Sequence, residues 1–335
     1  MDARAGGADY RSTTYALIVV SVLFLIPIGL LVGLFIEESR KDITFVEKEI
    51  SGVSYILAVW PIVDDILNVR SEGQDLAARK WGAIRVQGEL NDPTMDTIDA
   101  RKALGQALTH SEGGKDARDE ILQATVALII KIDDGSNLTL DPNLASYYLM
   151  DSLTVKLPEL AVRSTSLLEF APGAPEAAQL PAKSLDSQVK TALILERFRV
   201  SLAAFDNSVD ATARASGSGV LQPDIAAARF KIDTAGALAT KLIGDWPSSG
   251  APQEEQRDAT KAYADLARAQ SQYWDSASRE LERVLAERRG QLISALWLKL
   301  LSVGTVCCVA FAVAGSLALS ANRGIDKLVK AMRRH

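Results

Sequence analysis

Apolar positions along this chain fall into two kinds of stretch. Near each end stands an unbroken apolar run, Tyr15–Ile36 and Leu300–Ala321, without an ionisable side chain in either. A hydrocarbon core of about 30 Å takes about 20 apolar residues in helical form, so each run is long enough to span a bilayer. Between the runs, apolar residues recur at three- and four-residue steps, the spacing of one helix face. Ile43, Val46, Ile50, Val53, Leu57 and Trp60 form the first such seam. Others are Ile121, Thr125, Leu128 and Ile132; Ile194, Phe198, Leu202, Phe205 and Val209; and Ile225, Ile232, Ala235, Leu238 and Leu242. In the last helix before the second run, Ala277, Leu281, Val284 and Leu285 form the buried side. Strict alternation of apolar and polar residues is almost absent, so no sheet is predicted.

Punctuation divides the middle into helices. Asp92-Pro93 and Asp141-Pro142 read as helix openers, an acid at the N-cap and proline at the first helical position. Gly113-Gly114, Asp134-Gly135, Ser216-Gly217-Ser218-Gly219 and the prolines of Ala171–Pro181 read as breaks, and Pro61 and Pro158 as bends. Helices of about 40 residues would reach about 60 Å. The expected fold is all-α: an elongated up-and-down bundle, read as two stacked four-helix bundles, with two transmembrane helices. The parts are a tail (1–14), a first span (15–36), an extracytoplasmic helical region (37–294), a second span (295–321) and a basic end (322–335).

Charge sets the orientation. Arg323, Lys327, Lys330, Arg333 and Arg334 follow the second span against one acid, Asp326, which favours the cytoplasmic side for this end. Two spans then put both termini in the cytoplasm and the middle outside, periplasmic in a Gram-negative bacterium. The first run is too long for a cleaved signal peptide, and Trp297 sits where an interfacial anchor is expected. The net charge of -5 over 335 residues argues against nucleic acid as a partner. Cys307 and Cys308 are adjacent within the second span, which argues against a structural disulfide.

Catalytic chemistry is hard to find. His110 and His335 have no partners at metal-ligand spacing, and no phosphate loop, nucleophile elbow or kinase motif occurs. Ser218 between glycines is a loop residue. No enzyme activity and no cofactor are expected within these residues. Arg79, Lys80 and Arg85, near Trp81, have the chemistry to hold a small carboxylate, although a solvated helix face is the commoner role for such residues. Tyr147 and Tyr148 point about 100° apart on a helix; packing accounts for one, and the other is a candidate pocket wall. Asp141 and Asp151 read as caps or ion-pair partners.

The segment Asp134–Leu160, DGSNLTLDPNLASYYLMDSLTVKLPEL, resembles one that recurs in helical extracytoplasmic sensor regions of bacterial chemoreceptors and sensor histidine kinases. The likeness rests on Asn137-Leu138, Leu140-Asp141-Pro142, Ser146 to Asp151 and Leu157-Pro158, with Asn143 where the family usually has an acid. Phe45 to Tyr55 and Leu285 to Arg288 are similar to the first and last helices of such sensors. Size and helix count resemble the helical bimodular sensor domain, in which organic-acid sensing is known. Arg323 to Met332 resembles the opening of a HAMP linker, with Gly324 where proline is usual; its second helix is missing, so a piece of a longer receptor is expected.

The resemblance implies a sensory module, most readily of a methyl-accepting chemotaxis protein. It would be a membrane-bound homodimer that detects a small molecule, an organic acid among the candidates, or a periplasmic protein. The signal would pass through the second span to Gly324, Ile325, Leu328 and Met332, with any enzymatic output beyond residue 335. Cysteines at Ala277 or Leu281 are expected to link two such subunits. The alternatives are the input region of a histidine kinase or diguanylate cyclase, and a non-signalling, membrane-anchored helical scaffold.

Overall fold

The computed structural model describes residues 6–68, 74–110, 115–168, 185–217, 219–244 and 253–332. Among the described residues there is no strand. The α-helices are α1 (Gly6–Leu67), α2 (Gln74–Met95), α3 (Ile98–His110), α4 (Lys115–Gly135), α5 (Leu144–Asp151), α6 (Leu157–Leu168), α7 (Leu185–Ala215), α8 (Pro223–Gly244) and α9 (Gln253–Met332). A short 3-10 turn, Leu138–Leu140, precedes α5, and a π turn, Ser152–Lys156, joins α5 to α6. The expected all-α class is observed. Two of the helices, α1 and α9, are long and apolar enough to cross a membrane.

The chain divides into two units, residues 1–46 with 288–335, and residues 47–287. The first unit consists of the outer parts of α1 and α9. Its large apolar side chains face outward: Ile26, Leu30, Leu31 and Leu34 on α1, and Leu298, Leu301, Val306, Val309 and Val313 on α9. A helix that exposes large apolar side chains over such a length is suited to hydrocarbon. Lys299 lies over the ring of Phe35, 4.5 Å from its centroid, a favourable charge–quadrupole contact. Both cysteine thiols are free. The helix continues through Gly324 to Met332; Gly324 is exposed, and the side chains of Ile325, Leu328 and Met332 lie outside the described residues.

In the second unit α1 is the central helix. Val53, Tyr55, Ile56, Val59, Trp60, Ile62, Val63, Ile66 and Leu67 are all buried, covering about half of the circumference. The seam read from the sequence is therefore only one side of it. Two groups of helices surround α1. Toward α2, Tyr55 donates to Asp92 (3.2 Å) and Lys80 to the Pro61 carbonyl (2.7 Å); α3 and α4 complete this group. Toward α9, the rings of Trp60 and Trp274 stack at 3.9 Å with 4° between their planes. The second group is α5 to α9. Its joints include Ser208 to Asp151 (2.7 Å), Arg229 to Asp206 (3.0 Å), Ser152 with Tyr273 (2.7 Å), and Phe205 edge-on to Tyr273.

Several local expectations are corrected. Asp92-Pro93 closes α2 and opens nothing: Asp92 is buried, and α2 continues three residues to Met95. Asp96 then takes a left-handed conformation (φ 55°) and α3 starts at Ile98. The Asp92 carboxylate is needed inside, where Tyr55, Thr97 (2.6 Å) and Arg101 (2.7 Å) all donate to it. Burial, and then the Asp92 charge, push the Tyr55 hydroxyl well above the usual phenol range. Likewise the N-cap of α5 is Asn143, not Asp141: its side chain accepts from the Ala145 and Ser146 amides, while Asp141 accepts from the Asn143 amide (2.8 Å). Pro61 lies within unbroken helix. Pro158 follows the π turn, where the helix has already widened ahead of a residue with no N–H to give. Leu238 is exposed, because the buried stripe of α8 runs through Ala228, Ile232, Ala235, Ala239 and Ile243. Ala277 and Leu281 are buried within the subunit and cannot present cysteines to a second copy. Gly113-Gly114 and Ala171–Pro181 lie outside the described residues.

Close helix approach makes a falsifiable demand on two glycines. A Cβ at Gly52 would collide with the Ser136 side chain, whereas one at Gly82 meets open space. Gly52→Ala should therefore lower stability by about 1–3 kcal/mol, and Gly82→Ala should raise it by up to about 1 kcal/mol through helix propensity. Denaturant melts of the full chain in detergent check the pair; a neutral Gly52→Ala would show that α1 and the Ser136 turn after α4 do not meet at this point.

Candidate functional site: a groove between the first and last helices

Along the outside of the α1–α9 pair runs a groove of about 780 Å³. Its floor is the stacked Trp60–Trp274 pair. Its walls come from one face of each helix: Leu57, Pro61, Asp64 and Asn68 on α1, and Arg268, Ser271, Asp275, Arg279 and Glu282 on α9. The three- and four-residue spacing puts these polar groups in line, as it does apolar residues elsewhere. Antiparallel packing of α1 on α9 then brings the two lines face to face.

The walls are held by their own bonds. Asp64 accepts from Asn68 Nδ2 (2.9 Å) and from the Ser271 hydroxyl, a link between the two helices. Arg268 pairs with Asp265, and Arg279 Nε donates to the Asp275 carbonyl (2.7 Å). Partial burial holds the Asp275 carboxyl above its ordinary range. The Asp64 charge pushes the same way and Arg279 opposes it. The groove thus offers carboxylates and guanidiniums above an apolar floor. That chemistry suits reversible capture of a small polar molecule with a flat or apolar part. Among the described residues no group of His, Cys, Asp and Glu is arranged to hold a metal ion.

Of the residues singled out from the sequence, those with described side chains lie elsewhere. The Lys80 ammonium is spent on structure: besides the Pro61 carbonyl it pairs with Asp65, both side chains being largely buried. It braces α2 behind the groove wall. Arg85 is on the exposed face of α2, paired with Glu89 at 3.6 Å. Arg79 is in α2 as well, but its side chain lies outside the described residues. Tyr147 and Tyr148 stand edge to face on α5, centroids 5.3 Å apart, with Tyr147 packed on the core. Lys80, Arg85, Tyr147 and Tyr148 do not line the groove.

Sequence reasoning missed Asp64, Ser271, Asp275 and Arg279. Each looks like an ordinary polar residue on an ordinary helix face. The available signal was two polar stripes adjoining tryptophans, one on each flanking helix, and it acquires meaning only once α1 and α9 are paired. No protein-family model, curated protein or solved structure matches this chain.

The lysine and arginine roles separate under substitution. Lys80→Ala leaves Asp65 buried without its partner and should cost about 1–3 kcal/mol; Arg85→Ala, at a solvated pair, should stay within about 0.5 kcal/mol. Thermal unfolding of the full chain measures both. A destabilised Arg85→Ala with an unaffected Lys80→Ala would reverse the assignment.

Proposed function

We propose that this chain is the input and membrane-spanning part of a transmembrane receptor that detects a small molecule in the groove. The observation that carries this reading is the continuity of α9. One unbroken helix supplies a groove wall, then an exposed apolar stretch of membrane length, then the Arg323–Met332 segment. A ligand that favours one arrangement of α1 against α9 biases a rod that leads elsewhere. A differential affinity of about 1–3 kcal/mol between two arrangements is enough for such coupling.

In this reading residues 15–36 and 295–321 cross a bacterial inner membrane, both termini are cytoplasmic, and two copies act together. The two helix groups form one sensor body. Contacts of α1 with α9 and of α4 with α6 join the groups along their flanks, which favours neighbours side by side over bundles stacked end to end. The segment after the second span acts as the start of a HAMP-type linker, and the most fitting output is that of a chemotaxis receptor. The ligand classes to try first are organic acids, amino acids and purines, each pairing an ionic group with an apolar or flat portion.

The test is a thermal-shift and tryptophan-fluorescence screen of the full chain in lipid nanodiscs. A saturable rise in melting temperature is expected for at least one compound, accompanied by a change in tryptophan emission and lost in Asp275→Ala. A response that survives Asp275→Ala would move the site away from the groove. Stabilisation by another envelope protein alone, with every compound inert, would favour the membrane-anchored scaffold.

A further inference from the structure

A second pocket, of about 470 Å³, opens where α5, the α7–α8 connection and α9 meet. Its volume falls within the range of small-molecule sites, about 300–1,000 Å³. It shares no lining residue with the groove between α1 and α9. Two left-handed glycines, Gly217 (φ 73°) and Gly219 (φ 69°), turn the chain between α7 and α8. Gln222, just after the turn, reaches across to α9, where its Nε2 donates to Glu280 at 3.4 Å.

The floor of the pocket is apolar, made by Leu149 on α5 and Ile225 on α8, both buried. Three polar groups around it are acceptors with capacity to spare. Ser146 and Thr212 line the pocket and are themselves buried. The Ser146 hydroxyl donates to the Asn143 carbonyl (3.2 Å), and the Thr212 hydroxyl to the Ser208 carbonyl (3.1 Å). A hydroxyl has one proton, so each of these has only lone pairs left to offer. The third acceptor is Glu280. Arg283 donates to it through Nε (2.8 Å) and Nη2 (2.7 Å) and holds its carboxyl below the ordinary range, with partial burial opposing. Glu280 Oε2 accepts one of these bonds and has a second lone pair. The same guanidinium also donates to Glu287 through Nη1 (3.0 Å), so its charge is divided between two carboxylates.

A primary ammonium group is the chemical complement of these walls. It brings three N–H donors to three acceptors, and a positive charge to Glu280. The apolar floor asks for a short aliphatic body on the same molecule. A quaternary ammonium has no N–H to give, and no aromatic ring lines the pocket to receive it by charge–quadrupole attraction. A carboxylate would meet lone pairs at Ser146 and Thr212 and like charge at Glu280.

We propose that this pocket binds a short-chain primary alkylammonium ion, its body on Leu149 and Ile225 and its charge at Glu280. The site requires nothing of the groove between α1 and α9 and stands whether or not a ligand binds there. One bound ion would tie α5 and α8 to α9 within a few residues of one another.

The experiment is calorimetric titration of the full chain in lipid nanodiscs with isopentylammonium chloride, at about pH 7, where an alkylamine is protonated. Saturable binding is expected, with a dissociation constant of about 1 mM or tighter. Glu280→Gln should weaken it about tenfold or more, and Thr212→Val about threefold to tenfold. Tetramethylammonium and isovalerate should each bind at least about tenfold more weakly than the probe. Asp275→Ala, in the other groove, should leave the affinity for isopentylammonium as it is. Absence of saturable binding, equal affinity for either comparison ion, or an affinity unchanged in Glu280→Gln overturns the site. Binding lost in Asp275→Ala also overturns it, by moving the amine to the groove. Should Glu280→Gln fail to fold, Thr212→Val decides: an unchanged affinity there overturns the proposal as well.

Discussion

The pairing of α1 with α9 is the constraint on which the second unit depends. A buried apolar face covering about half of α1 makes it unable to stand alone in water, and α9 covers part of that face. The joint is mixed in character. The tryptophan pair supplies apolar area and Asp64 supplies direction, since its bonds to Asn68 and Ser271 are met at one axial position of the two helices. Dispersion alone would allow one helix to slide along the other by a turn; a directional polar contact beside it selects one register.

The same combination recurs through the interior. Asp92 gathers Tyr55, Thr97 and Arg101 where α1, α2 and α3 meet, Gln270 donates to Ser164 between α9 and α6 (2.8 Å), and Ser152 meets Tyr273. A bundle of long apolar seams has many near-equivalent packings. Polar contacts that are costly to leave unmade remove most of them. The price is sensitivity, because each such contact ties two helices to the protonation or rotamer of a few atoms.

What the sequence made legible follows from what each signal requires. Helix period and span length are local properties, so the all-helical class, the two membrane-length helices and most seams could be read directly. Helix ends depend on which side chain reaches which amide, and there reading failed. Asp92 and Asn143 can each cap or be buried, and only their three-dimensional partners decide. Lys80 had the right charge for a ligand and was claimed by Asp65, fifteen residues earlier on the facing helix. The groove was illegible for a stronger reason: its two walls belong to opposite ends of the unit, and nothing in the local pattern of either helix says which other helix it will meet.

That separation bears on how the molecule comes to exist. Asp64 and Ser271 are 207 residues apart, and loop-closure entropy makes contacts of such range slow to form. At the ribosome the apolar α1 emerges long before its mate has been translated. Until α9 arrives, one flank of the central rod has to be sheltered by α2 and the other by transient, non-native company, which makes the interval of synthesis the most aggregation-prone moment in the life of this chain.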